Sequence, residues 1–338
     1  RMGKFMGKGF GRLEINPLSA EDSAKLISRI LPLHSDLMAH VVRAARGNPL
    51  YLIQALRLMA SRRILKYHNQ GWSLMDGAEA QLPTTIDELL SKRVERLATD
   101  PDTSKRIAQI AELISVLGPQ FRQSLVKKYF IQLGRAKDLE LIGSAITSLV
   151  AGGILRRLAG KEIGFAYEHD LIQEVLAAQI LTENANTLHQ AAANSMEFAA
   201  AHSGVYAADS GFLANMAEHW SKAGDEQRSV DALIRSAVTA ERSLDLASAR
   251  HLYRRAENAL EALGETSPRR SRVQRDLASL YMRRGELGPA RDLLGRSVAI
   301  DQALGDQRCE GRALAMIGDL LTMQSSYSEA LDTYRVAT

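Results

Sequence analysis

A repeat in the last third of the chain constrains its fold more than any other sequence feature. Small and large residues recur together when the chain is aligned on Ala249, Ala290 and Ala330, which lie 41 and 40 residues apart. One aligned position after the alanine holds Tyr253, Leu294 and Tyr334, and a later one holds Ala256, Ser297 and Ala337. An aligned position before the alanine holds Ala237, Ala278 and Gly318. Small residues let two helices approach closely, and large residues fill the groove to the next pair. The repeat therefore predicts an α-solenoid over residues 184–338.

Composition extends the helical prediction to the whole chain. Only 8 Pro, 7 Phe, 9 Tyr and 2 Trp occur in 338 residues, which argues against a large β-sandwich, while strong helix formers are abundant. The single cysteine, Cys309, excludes a disulfide scaffold and a multi-cysteine zinc site, and it suits a reducing cytosol. No stretch approaches the roughly 18 apolar residues that a membrane span requires. We expect a mainly α, cytoplasmic protein without a membrane partner.

Because the chain opens on Arg1 without a signal-peptide pattern, we also expect it to be an internal piece of a longer protein.

The first 78 residues predict three helices and a hairpin. Ser19, with Asp22 three residues later, is typical of a helix N-cap. Further helices are expected over residues 35–46, ending at Gly47, and over residues 50–63, where Pro49 can occupy the first turn. Two short apolar runs on either side of residues 68–71 predict a β-hairpin.

Residues 79–183 predict helices followed by a second hairpin. The expected elements are helices over 82–97, 104–116, 121–130 and 139–150, strands over 154–158 and 163–167, and a helix over 169–180. Helices that precede a hairpin in this order are typical of a winged-helix domain.

Motifs of the common enzyme classes are missing from the sequence. Gly3 to Gly9 imitates a phosphate-binding loop, but the segment lacks the spacer residues and the Ser or Thr that would hold Mg²⁺. The eight histidines form no metal-ligand cluster, and no nucleophile elbow is present. We therefore expect no catalytic and no metal-binding residues, and no enzymatic activity of this chain alone.

Two short motifs remain as candidate sites. Gly47-Asn48-Pro49 is either a helix break followed by a proline-started helix or part of a ligand site. The segment Tyr167 to Ile172 is either a capped helix start or a place where His169 faces an anion across a domain boundary. The residues alone leave both interpretations open for each motif.

Taken in order along the chain, these motifs resemble the C-terminal half of signal-transduction ATPases with numerous domains, the STAND class. The bacterial branch that it is most similar to carries an AAA-type ATPase and tetratricopeptide repeats, and is linked to adenylate or guanylate cyclase, kinase or LuxR-type domains. The repeat described above likewise matches the tetratricopeptide order, lengthened beyond its usual period of about 34 residues. The matching segments are Leu13 to Ser19, Gly47 to Leu52, Gly71 to Leu74, Leu82 to Ile86 with Arg93 and Leu97, Phe165 to Val175, Leu188-His189 and Ala217 to Trp220.

The resemblance implies three domains and a nucleotide site. It places a helical lid subdomain with a β-hairpin at 1–78, a winged-helix domain at 79–183 and tetratricopeptide-like repeats at 184–338. ATP or ADP would be bound in the intact protein by a P-loop core that this chain lacks, so the chain alone would hold no cofactor. The repeats would bind an inducer or a partner protein.

The resemblance also assigns the candidate nucleotide-binding residues, which are Gly47, Asn48, Pro49, His169 and Asp170. The Gly-x-Pro segment would lie against the adenine and ribose, and Asp170 would support the fold beside the sensor histidine. A ring N–H of His169 can donate to a phosphate oxygen. Relatives often carry Arg before this histidine, whereas Glu168 stands here, so Glu168 must face away from the phosphate, as strand alternation allows.

Two other functions compete with a nucleotide-gated regulator. The repeats alone predict a pure protein-binding scaffold. A basic pI near 9.1 and a winged helix would suit DNA binding, but the net charge is only +4. The expected recognition segment, residues 138–150, is nearly devoid of Lys and Arg, which a phosphate-bound helix needs. We therefore do not expect a nucleic-acid partner.

Overall fold

The computed structural model describes residues 16–68, 71–75, 88, 94, 97, 100–159, 163–179 and 184–337. The described part of the chain is mainly helical. Its helices are α1 (Ala20–Ile30), α2 (Ser35–Ala45), α3 (Pro49–Ser61), α4 (Pro101–Ser115), α5 (Gln123–Gln132), α6 (Leu139–Ala151), α7 (Asp170–Ala178), α8 (Ala185–His202), α9 (Gly204–Ala207), α10 (Ser210–Lys222), α11 (Glu226–Arg242), α12 (Leu246–Ala262), α13 (Pro268–Met282), α14 (Leu287–Leu304), α15 (Gln307–Met323) and α16 (Tyr327–Ala337). Among them, none is both long enough and apolar enough to cross a lipid bilayer.

Five short strands complete the described elements. β1 (Leu65–His68) and β2 (Gly71–Leu74) pair antiparallel, with Tyr67 opposite Trp72. The remaining three form one sheet in the order β3-β5-β4, where β3 is Gln120–Arg122, β4 is Leu155–Leu158 and β5 is Gly164–Tyr167.

Short polar side chains begin many of the helices. The backbone N–H of Asp22 donates to Ser19 Oγ at 3.0 Å, which confirms the predicted cap of α1. The N-caps of α10, α11, α12 and α15 are Asp209, Asp225, Asp245 and Asp306, each of which accepts from a backbone N–H three residues later. Hydrogen bonds from Ser248 hold the pKa of Asp245 below its ordinary value, since the carboxylate is the accepting form.

Contacts divide the chain into two compact units. The first contains Arg1–Ser115, Gly143–Arg157 and Ala166–Gln179, and the second contains Val116–Ile142, Leu158–Phe165 and Ile180–Thr338. The predicted division at residues 78 and 183 stays a prediction.

In the first unit, α1, α2 and α3 pack together, and α4 packs on α7. Ile27, Leu52 and Met59 have no exposed surface and form the centre of the three-helix group. α7 is tied to α4 through Gln173, whose Nε2 donates to the carbonyl of Ser115 at 2.7 Å.

In the second unit, α11 to α16 form a stack of three helical hairpins in which each helix packs against its sequence neighbours. The alanines on which the repeat was aligned are buried: Ala249 and Ala290 are fully buried and Ala330 is 3% exposed. A Cβ on Gly318 would lie 2.5 Å from the ring of Tyr334, so this small position lets α15 and α16 touch. The predicted solenoid of helical hairpins is therefore present.

Several predicted helix boundaries differ from the structure by one to three residues, such as the helix expected over 104–116, which spans Pro101–Ser115. One of these differences changes the type of element. The helix expected over 121–130 begins instead at Gln123, because residues 120–122 form β3. Phe121 is the buried residue of this strand, and its ring lies 6.0 Å from the ring of Phe165 on β5. Most of the helix expected over 82–97 lies outside the described residues, which include only residues 88, 94 and 97 of it. Residues 1–15 and 76–81 also lie outside the described residues.

Candidate functional site

The segment Gly47-Asn48-Pro49 forms a tight turn between α2 and α3. Gly47 has a φ of +77°, and a Cβ there would lie 2.5 Å from the carbonyl oxygen of Leu18, so only glycine fits. The backbone N–H of Leu18 donates to the Gly47 carbonyl at 2.9 Å. Asn48 Oδ1 accepts from the N–H groups of Leu50 and Tyr51, which caps α3 directly before Pro49. The three residues thus build the helix break that the sequence predicts, and the side-chain oxygen of Asn48 is engaged in the cap.

His169 and Asp170 lie at the start of α7. His169 is the N-cap residue, its ring makes no capping hydrogen bond, and both it and Asp170 are exposed. The preceding Tyr167 is buried and donates its hydroxyl to the carbonyl of Ala111 at 3.4 Å, and burial raises the pKa of Tyr167. The strand therefore anchors the segment while the histidine ring remains accessible.

Glu168 faces a cleft of about 1050 Å³ within the first unit. Four arginines also line this cleft, namely Arg57 and Arg62 from the end of α3 and Arg156 and Arg157 from β4. Neither Pro49 nor His169 is among its lining residues. The arrangement could hold an anion. Sequence reasoning missed it, because Arg57 and Arg156 lie about a hundred positions apart and no local motif links them.

A second cleft, of about 430 Å³, lies within the second unit. Aromatic rings form much of its wall: Tyr206 and Phe212 have centroids 4.4 Å apart, and the guanidinium of Arg122 lies 4.7 Å from the centre of the Tyr206 ring. Asn215, also in the wall, donates its amide to the carbonyl of Leu117 at 3.2 Å. The wall of this cleft therefore combines aromatic rings with a cationic side chain.

His189 on α8 and His219 on α10, two histidines in the segments that carry the family resemblance, are in contact. Nδ1 of His189 and Nδ1 of His219 lie 2.9 Å apart, so one ring donates to the other. Burial is the main reason why the pKa of His189 is lowered to about 4 and that of His219 to about 3. The charge of Lys222 contributes to both shifts, and His189 contributes to the shift of His219. Both rings are therefore neutral at pH 7. Among the residues that the structure describes, no group of three or more His, Cys, Asp or Glu side chains could hold a metal ion.

A buried polar network joins α13 to α14 in the repeats. The guanidinium of Arg275 lies 2.8 Å from a carboxylate oxygen of Asp301, and their side chains are 9% and 0% exposed. Arg275 also donates to Ser297 Oγ at 3.0 Å, and Ser297 lies 2.8 Å from the hydroxyl of Ser271. The sequence period places Ser297 at a small position, but the charged pair gave no sequence signal.

A scan against protein-family models and a search of curated proteins give no match. Distant similarity to solved structures is found. A structure of kinesin light chain tetratricopeptide-like repeats from Podosopora anserina is 14% identical, covers 64% of this chain and 91% of its own, and has a TM-score of 0.34. A STAND protein with a tetratricopeptide repeat sensor from Pyrococcus horikoshii is 12% identical, covers 95% of this chain and 53% of its own, and has a TM-score of 0.33. The fold described above stands on the geometry of this chain.

Proposed function

We propose that this chain is the regulatory and sensor part of a nucleotide-gated signalling ATPase of the STAND class. Residues 1–78 would act as a lid and residues 79–183 as a winged helix, both in contact with nucleotide held by a P-loop core. The repeats would bind a partner protein or an inducer, in a cytoplasmic protein linked to a cyclase, kinase or DNA-binding output. The observation that carries the proposal is the stack from α11 to α16, because helical solenoids offer extended binding surfaces.

Local geometry supports the nucleotide part of the proposal. The described order α4, β3, α5, α6, β4 and β5 is compatible with a winged helix, and α1 to α3 with a helical lid. Gly47 and Pro49 form a rigid turn. The ring of His169 is exposed at the start of a helix, a position that favours the binding of a diphosphate.

The test measures ADP affinity by calorimetry in the protein that includes the ATPase core. Pro49→Ala and His169→Ala are expected to weaken ADP binding by about fivefold or more, the loss of roughly one hydrogen bond or close contact. Pro268→Ala, at another proline that opens a helix, and His251→Ala, at an exposed histidine of α12, are matched controls. If neither Pro49→Ala nor His169→Ala changes the affinity, the nucleotide role is removed.

The hairpin stack also favours a second function, a protein-binding scaffold whose lid has lost its role. The two functions differ in how partner affinity responds to nucleotide. A regulator binds its partner with different affinity when loaded with ADP or with a non-hydrolysable ATP analogue, because the two nucleotides select different states. A scaffold binds equally in both. Measuring the affinity of an identified partner for the intact protein under each condition separates them.

A further inference from the structure

The turn between α11 and α12 holds a leucine in a backbone conformation that leucine rarely adopts. Leu244 has a φ of +64° and is 81% exposed. At the same position before the aligned alanine, the other two hairpins carry Gly285 and Ser325, which also have positive φ values. This turn therefore requires a conformation that suits glycine and disfavours a bulky side chain. At Leu244 the chain keeps both the backbone strain and an apolar side chain in water, a combination that points to a functional contact.

Leu244 belongs to an apolar edge of the stack, at the turns within the three hairpins. The position three residues before each aligned alanine is apolar in every hairpin, and it holds Leu246, Leu287 and Tyr327. Leu246 and Tyr327 are exposed, and Leu287 is half-buried. Met323, the last residue of α15, is also exposed. We call the surface formed by these five residues the turn edge. An exposed row of apolar side chains is typical of a surface that another molecule covers.

The two ends of the turn edge carry free charges of opposite sign. Arg242, the last residue of α11, lies beside the first turn, and Glu329, in the first turn of α16, lies beside the third. Both are exposed, and neither makes an ion pair within the described part of the chain. The carboxylate of Asp245, also at the first turn, is engaged in the N-cap of α12. The arginines at the middle turn are paired, Arg283 with Glu241 and Arg284 with Glu286.

We infer that the turn edge is an interface between two copies of this chain, related by a two-fold axis at the middle hairpin. Such an axis places the first turn of one copy against the third turn of the other, and it does so twice. Leu244 then packs beside Tyr327 of the second copy, and Arg242 pairs with Glu329 of the second copy.

The opposite charges at the two ends favour a second copy over a different protein. A partner whose surface carries charge of one sign would match only one end of the turn edge, whereas a second copy in reversed order matches both ends. The inference goes beyond the proposed function and does not depend on the nucleotide contact, because all of these residues lie in the hairpin stack.

Sedimentation velocity of the full chain over a range of micromolar concentrations tests the interface. The unmodified chain is expected to dimerise, and Leu244→Asn is expected to weaken the dimer at least about tenfold, because one buried leucine is lost at each of two contacts. Asparagine adopts a positive φ more readily than leucine, so the variant should keep or raise the Tm, and misfolding cannot explain the loss. Leu263→Asn, at an exposed leucine in the turn that follows α12, is the matched control and should change the dissociation constant by less than about twofold.

Exchanging the two charges tests the reversed order of the copies. Arg242→Glu and Glu329→Arg should each weaken the dimer by about threefold or more, because like charges then face each other. The double variant Arg242→Glu/Glu329→Arg restores opposite charges at both contacts and should recover the association of the unmodified chain. Arg254→Glu, at an exposed arginine in the middle of α12, should leave the association unchanged.

Three results would overturn the inference. A chain that stays monomeric at every concentration would leave the turn edge to a different protein. Equal losses in Leu244→Asn and Leu263→Asn would show that the turn edge is not the interface. A double charge variant that associates no better than its parent single variants would exclude the two-fold arrangement.

Discussion

At the scale of single residues, the buried pair His189 and His219 makes stability depend on pH. The pKa values of about 4 for His189 and about 3 for His219 lie below the ordinary value of 6.5. Below pH 6.5 the unfolded chain therefore binds protons at these two histidines that the folded chain does not bind. The neutral pair therefore contributes its full share to the free energy of unfolding above pH 6.5, and this share is lost as the pH falls toward 4. We expect the free energy of unfolding to drop by up to about 1.4 kcal/mol per pH unit for each histidine, less for the half-buried His189.

Urea denaturation at a series of pH values between 7 and 5 measures this slope. The variant His189→Gln/His219→Gln should flatten it, because glutamine does not titrate. His251→Gln, at an exposed position of α12, should leave the slope as it is. A slope that persists in the double variant would show that other groups are responsible.

The residues of the candidate sites differ in how far the sequence could reveal them. The break at Gly47 was predictable, since its positive φ and the start of α3 at Pro49 follow from the local chemistry of glycine and proline. The cleft formed by Arg57 and Arg156 was not, because two exposed arginines so far apart in sequence come together only through the packing of α3 and β4. The contact between His189 and His219 was not predictable either, because it joins residues that are 30 positions apart in sequence.

At the scale of elements, the contact between α15 and α16 depends on a missing side chain. Gly318→Ala would place a Cβ 2.5 Å from the ring of Tyr334, and we expect the variant to lose about 1–3 kcal/mol of unfolding free energy through overpacking. Gly295→Ala in α14 meets nothing within 4 Å and should gain about 0.5–1 kcal/mol, because alanine favours helix. Thermal and urea unfolding of both variants test the difference in sign. A stable Gly318→Ala chain would show that the two helices can move apart at little cost.

A second element-scale prediction concerns the buried pair that joins α13 to α14. Arg275→Met leaves the fully buried carboxylate of Asp301 without its cation, and we expect a loss of about 3–5 kcal/mol in unfolding free energy. The double variant Arg275→Met/Asp301→Leu removes both charges and should recover most of that loss. Arg335→Gln, which breaks an exposed pair with Asp332, should cost less than about 1 kcal/mol. If the double variant is no more stable than Arg275→Met, the pair is not the source of the loss.

The sequence predicted which elements exist more reliably than where each begins. Every helix expected within the described ranges is present, because apolar spacing and capping residues are local signals. The error at residues 120–122 has a tertiary cause, since this segment is a strand only by pairing with β5, more than forty residues later in the chain.

At the scale of the whole molecule, the repeat explains how the C-terminal helices share their stability. Each helix from α11 to α16 packs mainly against its sequence neighbours. In such a stack, stability is approximately a sum of terms for each repeat and for each interface between repeats. The period of 41 and 40 residues was visible in the sequence because the same packing problem recurs at each hairpin. Nothing comparable recurs in residues 16–179, so their packing could not be read in this way.

The same reasoning predicts how far a local defect spreads. Leu294 on α14 is fully buried, so Leu294→Ala should cost about 2–5 kcal/mol and leave a cavity at a repeat interface. Hydrogen exchange followed by mass spectrometry should show faster exchange in α13, α14 and α15, while α1 to α4 keep their protection. Leu304→Ala, at a residue that is 44% exposed, controls for the loss of a leucine without a cavity. Faster exchange throughout the chain in Leu294→Ala would mean that the repeats unfold together with the first unit, and the additive description would fail.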